Sequence, residues 1–218
     1  MSRPKALDLF CGAGGASRGL HDAGYEVIGV DKVDQPNYPY EFYEMDAIEF
    51  FLELYDLTPF DLIWASPPCQ AHSWGGAQWR NKGYEYEDFI TATRSSLNHS
   101  NVSYIIENVV GAPLIEPVVL CGTMFPNLKV FRHRLFESNM NLKVEMKCAH
   151  EGHKAKNRRT DNNDYFTVAG HNTGTTAEWS DAMGIDWMTK KELAQAIPPV
   201  YSKYLAEQII ENSNNNTS

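Results

Sequence analysis

Five short apolar runs in the first half of the chain each lead into residues that can do chemistry. Residues 6–10 run into Cys11-Gly12-Ala13-Gly14-Gly15, residues 26–30 end at Asp31, and residues 43–45 end at Asp46. Residues 62–65 lead to Pro67-Pro68-Cys69-Gln70, and residues 104–106 end at Glu107-Asn108. Between them, residues 16–23 (closed by Gly24) and 47–55 carry helical spacing, as does 86–97 after a long polar loop. Strands alternating with helices predict a largely parallel sheet in a doubly wound α/β domain. Ligands bind such sheets at the carboxyl ends of the strands. Asp31, Asp46, Cys69 and Glu107 are therefore expected on one rim.

The regular alternation fades after residue 136. Residues 143–164 are polar, basic and weakly periodic, as in a loop or small insert. Residues 182–186 and 192–199 read as ordered but irregular, and 200–210 as a helix opened by Pro198-Pro199. Residues 212–218 form a low-complexity polar tail, expected to be disordered. A chain of 218 residues fits one domain with room for a small appendage. No run approaches the roughly 18 apolar residues of a membrane span, and Met1-Ser2-Arg3-Pro4 lacks the apolar stretch of a signal peptide. A cytoplasmic location is expected. The scattered cysteines, Cys11, Cys69, Cys121 and Cys148, suggest no disulfide framework.

The net charge of −9 argues at first against a polyanionic partner. Its distribution argues the other way, because residues 129–159 hold nine basic and three acidic residues. A local basic surface can steer a polyanion; the plainer reading is a solvated loop.

Each motif has a functional and a plain reading. The glycine turn lets a ligand approach the backbone at the start of a helix, with Asp31 placed to meet ribose hydroxyls. It also fits a tight structural turn, and its spacing is not that of the dinucleotide fingerprint. Two prolines hold Cys69 extended at a strand's mouth, where a thiol beside cations such as Arg132 and Arg134 would be reactive. A small buried apolar group is the commoner fate of a lone cysteine. Glu107 suits proton traffic beside a thiol, or a salt bridge or helix cap. Cys148, His150 and His153 are loosely spaced like metal ligands but lack a visible fourth, so a basic loop with histidines is the favoured reading and no metal is expected.

Together these pieces resemble the cytosine carbon-5 DNA methyltransferases, in the family's own motif order and over nearly the whole chain. Asp8-Leu9-Phe10-Cys11-Gly12-Ala13-Gly14-Gly15 resembles the S-adenosylmethionine motif. Pro67-Pro68-Cys69-Gln70 resembles the nucleophile motif, Glu107-Asn108-Val109 the acid motif, and Arg132-His133-Arg134 the paired-arginine motif. Residues 182–186, Ala194-Gln195-Ala196-Ile197-Pro198-Pro199 and the helix after them resemble the closing segments, which in the family pack back against the cofactor. Val130 stands where the family usually has Gln, and Ala194-Gln195 where it has Gly-Asn. Only residues 138–165 are available for target recognition, which resembles small methylases of bacteriophage genomes. The tRNA-methylating branch, with a different motif around its cysteine, is a weaker match.

The resemblance implies a Rossmann-like S-adenosylmethionine-dependent methyltransferase sheet with a minimal recognition insert. The implied layout is a core at 1–137, the insert at 138–165, closing segments at 166–211 and a tail at 212–218. It implies catalysis by Cys69, Glu107, Arg132 and Arg134. It implies cofactor binding by Phe10, Cys11, Gly12, Ala13, Gly14, Gly15, Asp31, Lys32, Asp46, Ala47 and Pro67, with Phe10 against the adenine, Asp31 on the ribose and Asp46 near the adenine amino group. Pro68, Gln70, Ser73, Asn108, Lys154, Arg158 and Arg159 are the implied substrate contacts, with the loop through Arg80 closing over a flipped base. The implied partner is DNA, with short or relaxed specificity; neither membrane nor obligate protein partner is expected. RNA or a free pyrimidine nucleotide as substrate, an inactive binding module and a nucleotide-binding oxidoreductase are the alternatives.

Overall fold

The structure is a computed structural model and describes residues 3–53, 57–73, 81–83, 87–156, 165–170 and 174–215. Strands β1 (Lys5–Leu9), β2 (Glu26–Asp31), β3 (Glu41–Glu44), β4 (Leu62–Ala65) and β5 (Ser103–Asn108) pair in parallel. Helices α1 (Gly15–Asp22), α2 (Ala47–Glu53) and α3 (Phe89–His99) lie between them in sequence. β6 (Val118–Leu120) and β7 (Arg134–Ser138) then join antiparallel, giving the order β3-β2-β1-β4-β5-β7-β6. The sheet is therefore mixed at one edge rather than parallel throughout.

Successive side chains of a strand face opposite sides, and here both sides are covered. Ala6, Leu62, Trp64, Ile105 and Phe136 pack with Leu20 of α1 and with the closing helices. Leu7, Leu9, Ile63, Ala65 and Ile106 pack with Ala47, Phe50 and Leu97. Burial on both faces is why these strands read as unbroken apolar runs.

The closing segment holds α4 (Thr176–Met183), α5 (Lys190–Gln195) and α6 (Pro199–Asn215). Both α4 and α5 open on complete capping boxes, Thr175 with Glu178 and Thr189 with Glu192. Residues 182–186 and 192–199 are thus largely helical or helix-flanking, more regular than expected. α6 crosses α1 closely: a Cβ on Gly19 would run into the Pro199 carbonyl and the Ser202 hydroxyl, and Ser202 Oγ donates to the Ala16 carbonyl at 2.8 Å. α6 also continues through Asn215, where disorder was expected from residue 212. Elongating a packed helix needs no new nucleus, and Ser213 Oγ bonds back to the Ile209 carbonyl at 2.9 Å. Among the described residues no helix is long and apolar enough to cross a membrane.

Candidate active site

Strand order reverses between β1 and β4, so the chain leaves their carboxyl ends in opposite directions and opens a crevice there. The glycine turn follows β1, and the proline–cysteine loop follows β4. Phe10 takes the left-handed conformation at φ 58° and Gly12 follows at 49°, a tight reversal held by Gly12 N–H donating to Asp31 Oδ2 at 3.0 Å. Asp31 also accepts from Val33 N–H at 3.2 Å. Asp46 accepts from Ile48 and Glu49 N–H and so caps α2. These carboxylates build the rim itself, a role the strand-end pattern does not distinguish from ligand binding.

Below the turn lies Asp8, fully buried, bonded by Ser17 through one oxygen while the other has no partner among the described residues. Burial pushes its carboxyl up to about 7, against the Ser17 bond that favours ionisation. In the sequence Asp8 stands out only as the first residue of the Asp8–Gly15 motif. The missed signal is a charged residue at an inward position of an apolar strand.

Cys69 is half-buried, and a turn in which its carbonyl accepts from His72 and Ser73 N–H holds it at the mouth of β4. Glu107, 5 % exposed, ends β5 and is paired with Arg134 Nε at 2.9 Å from its Oε1. Burial raises the Glu107 carboxyl, opposed by Arg134 and Arg132 and by a hydrogen bond from Ser66. Ser66, between β4 and the cysteine, was missed by sequence reading; as the one small hydroxyl between an apolar run and two prolines it was visible there. The Cys69 thiol is raised by burial and then by Glu107, while Arg134 and Arg132 pull it down. The thiol, the carboxyl and the guanidinium groups thus interact as one cluster.

Other expected residues sit differently. Arg132 is 4 % exposed and donates to the Val168 and Ala194 carbonyls, tying the closing segment to the sheet edge. Burial, with Arg134 alongside, lowers its guanidinium to about 9. Asn108 is buried and bridges two loops, Nδ2 to the Pro67 carbonyl at 2.9 Å and Oδ1 from Val109 N–H. Both side chains join separate stretches of backbone. Cys11, Ala13, Gly14, Gly15, Ala47 and Pro67 are buried, whereas Lys32, Gln70 and Lys154 are exposed and Pro68 and Ser73 half-buried. Residues 74–80, Arg158 and Arg159 lie outside the described residues. Trp187 Nε1 donates to the Ala13 carbonyl at 2.8 Å, so the closing segment does reach the glycine turn.

The three residues spaced like metal ligands do not stay together. Cys148 and His150 converge with Cys121 and His133, their ligand atoms all within 4.8 Å of one another. His153 instead packs against Tyr165, the rings tilted with centroids 4.4 Å apart.

A family model described as C-5 cytosine-specific DNA methylase matches residues 5–113, from β1 past the acid motif. The type II methyltransferase M.AgeI of Thalassovita gelatinovora is 31 % identical over 126 residues, covering 49 % of this chain and 28 % of that protein. The chain therefore spans well under a third of that relative's length. In fold it resembles a protein designated a DNA modification methyltransferase, encoded within an Escherichia coli prophage, at TM-score 0.64 and 13 % identity over 97 % of this chain and 99 % of that one. It also resembles the Schizosaccharomyces pombe Dnmt2 methyltransferase at TM-score 0.60 and 15 % identity, over 98 % of this chain and all of that one. At those identities the likeness is one of fold, and it extends to the whole sheet and the closing helices. The family match spans the glycine turn, the proline-flanked cysteine and the strand-end glutamate, and on that ground the chain belongs to the C-5 cytosine-specific DNA methylases.

Proposed function

We propose that this protein transfers a methyl group from S-adenosyl-L-methionine to carbon 5 of cytosine in DNA, through a covalent bond to Cys69. The carrying observation is the cluster of Cys69, Glu107 and Arg134 at the same strand ends as the glycine turn. The turn fits the donor: at Gly12 no atom of the described residues lies within 4 Å of where a Cβ would stand, so a ligand can reach the backbone. Phe10, half-exposed, and Asp31, on the next strand, flank it. When bound there, S-adenosyl-L-methionine supplies the electrophilic methyl group.

Cytosine is a poor electrophile at carbon 6. Glu107, kept protonated to higher pH by burial, would hold a proton at ring nitrogen 3 and draw electrons from the ring. The Cys69 thiolate then adds to carbon 6, and the electron pair moves to carbon 5, which takes the methyl group and leaves the bonding pair on the donor sulfur, now a thioether. Water would take the carbon 5 proton, the freed pair re-forms the ring double bond and expels Cys69 as thiolate, and the nitrogen 3 proton returns to Glu107. Arg134 orients Glu107 and favours the thiolate. A base within a duplex cannot reach this cluster, so it must be flipped out or single-stranded. Residues 138–165 would serve as a reduced recognition insert, Lys154 following phosphates and giving little base readout.

The test is transfer of labelled methyl groups to duplex DNA, RNA and dCMP, with 5-methylcytosine mapped by bisulfite sequencing. DNA should be labelled, and Cys69→Ala should abolish transfer while still binding cofactor. DNA carrying 5-fluorocytosine should trap a covalent adduct on Cys69, because fluorine cannot leave as the proton does. Turnover by Cys69→Ala would exclude the covalent route, and label only in RNA or dCMP would change the substrate.

A further inference from the structure

The structure brings together four soft ligands that the proposed chemistry does not use. Residues 140–146 form a strap along the closing core, and Met140, Leu142, Val144 and Met146 are the positions that pack against it. An extended chain repeats its facing every second residue. Cys148 and His150, both exposed, follow at the same two-residue spacing and bring a thiol and an imidazole to the end of this strap. There they meet Cys121, which is fully buried just after β6, and His133, which lies between the two arginines.

The pairing is sulfur to nitrogen in both directions. Cys121 Sγ lies 3.2 Å from His150 Nε2, and Cys148 Sγ lies 3.4 Å from His133 Nε2. Zinc bonds of about 2.3 Å to sulfur and 2.0–2.1 Å to nitrogen in a tetrahedron set ligand-to-ligand edges of about 3.6 Å. Around the cluster, Thr123 Oγ1 lies 3.4 Å from Cys121 Sγ and accepts from Ala149 N–H at 3.1 Å, fixing the chain between the two strap ligands. The His150 ring also packs on His133 and Phe131, with centroids 4.9 and 5.0 Å away.

We propose that Cys121, His133, Cys148 and His150 bind one zinc ion as a closed structural centre. Two thiolates and two imidazoles are a ligand set for tetrahedral zinc. Two thiolates neutralise the ion, so the centre places no net charge beside Arg132 and Arg134. All four positions are taken by protein, which leaves no open site for a water. The ion joins the end of β6, the arginine segment and the strap. Residues 139–150 contain no helix or strand of their own, and a metal is a common staple for such a segment.

The test is the metal content of the full chain purified under reducing conditions without an affinity tag that binds metal. About one zinc per chain is expected. Cobalt(II) added to the chelated protein should give the visible bands of a tetrahedral thiolate centre and be displaced by zinc. His153→Ala should keep the metal, because its ring faces Tyr165. Cys148→Ser and His150→Ala, on the exposed strap, should lose it and lower the thermal midpoint, as should chelation of the wild type. Absence of zinc together with absence of cobalt bands would overturn the proposal. So would a Cys121–Cys148 disulfide in the reduced preparation, or metal retained by both ligand variants.

Discussion

Asp8→Asn should change how stability depends on pH. Asp8 is fully buried beneath the glycine turn, with one carboxylate oxygen lacking a partner among the described residues. Its carboxyl sits at about 7 in the fold, against 3.8 as the reference for the unfolded chain. Between those values the folded protein holds a proton that the unfolded chain has released. Stability therefore falls as pH rises from about 4 to about 7 and levels off above. At about 1.4 kcal/mol per pH unit, that interval represents on the order of 4 kcal/mol. The amide has the shape of the acid and cannot ionise, so the variant should lose most of this slope and exceed the wild type in stability at pH 8. Urea unfolding at half-unit pH steps measures it, and Glu107→Gln, measured in parallel, isolates the second raised carboxyl. Equal slopes in wild type and Asp8→Asn would show that Asp8 is ionised and solvated in the fold, and the argument for its burial would fail.

Arg134→Gln removes a cation that lowers both the Cys69 thiol and the Glu107 carboxyl. The rise of kcat/KM with pH attributed to thiolate formation should move to higher pH, and Arg134→Lys should bring it back. An unmoved limb in a pH–rate profile would remove Arg134 from thiol activation. Glu137→Ala should cost about 3–5 kcal/mol in urea unfolding, because Glu137 is 4 % exposed and holds Arg94 through both oxygens and Ile115 N–H through one. A loss below about 1 kcal/mol would place that pair among weak surface bridges.

The chain's first half was legible because its physics is local. Parallel strands buried on both faces read as apolar runs, and each run's end lies at the rim where Asp31, Asp46, Cys69 and Glu107 stand. β6 and β7 left no such signature: one has three residues, the other starts at Arg134, and both are set by pairing with distant partners. The division of labour between Arg134, on Glu107, and Arg132, on backbone carbonyls, was equally hidden, since both read as one motif.

The alternation of elements and the chemistry carried at each strand end follow from local sequence, because hydrophobic period and turn residues act between near neighbours. Which ends meet is set by long-range packing. The strand-order reversal sets the glycine turn beside the cysteine loop. The antiparallel edge gathers Cys121, His133, Cys148 and His150 from three stretches of chain whose spacing alone suggested an incomplete set with His153. Long-range contacts depend on how surfaces bury one another, and that information is spread over the whole chain.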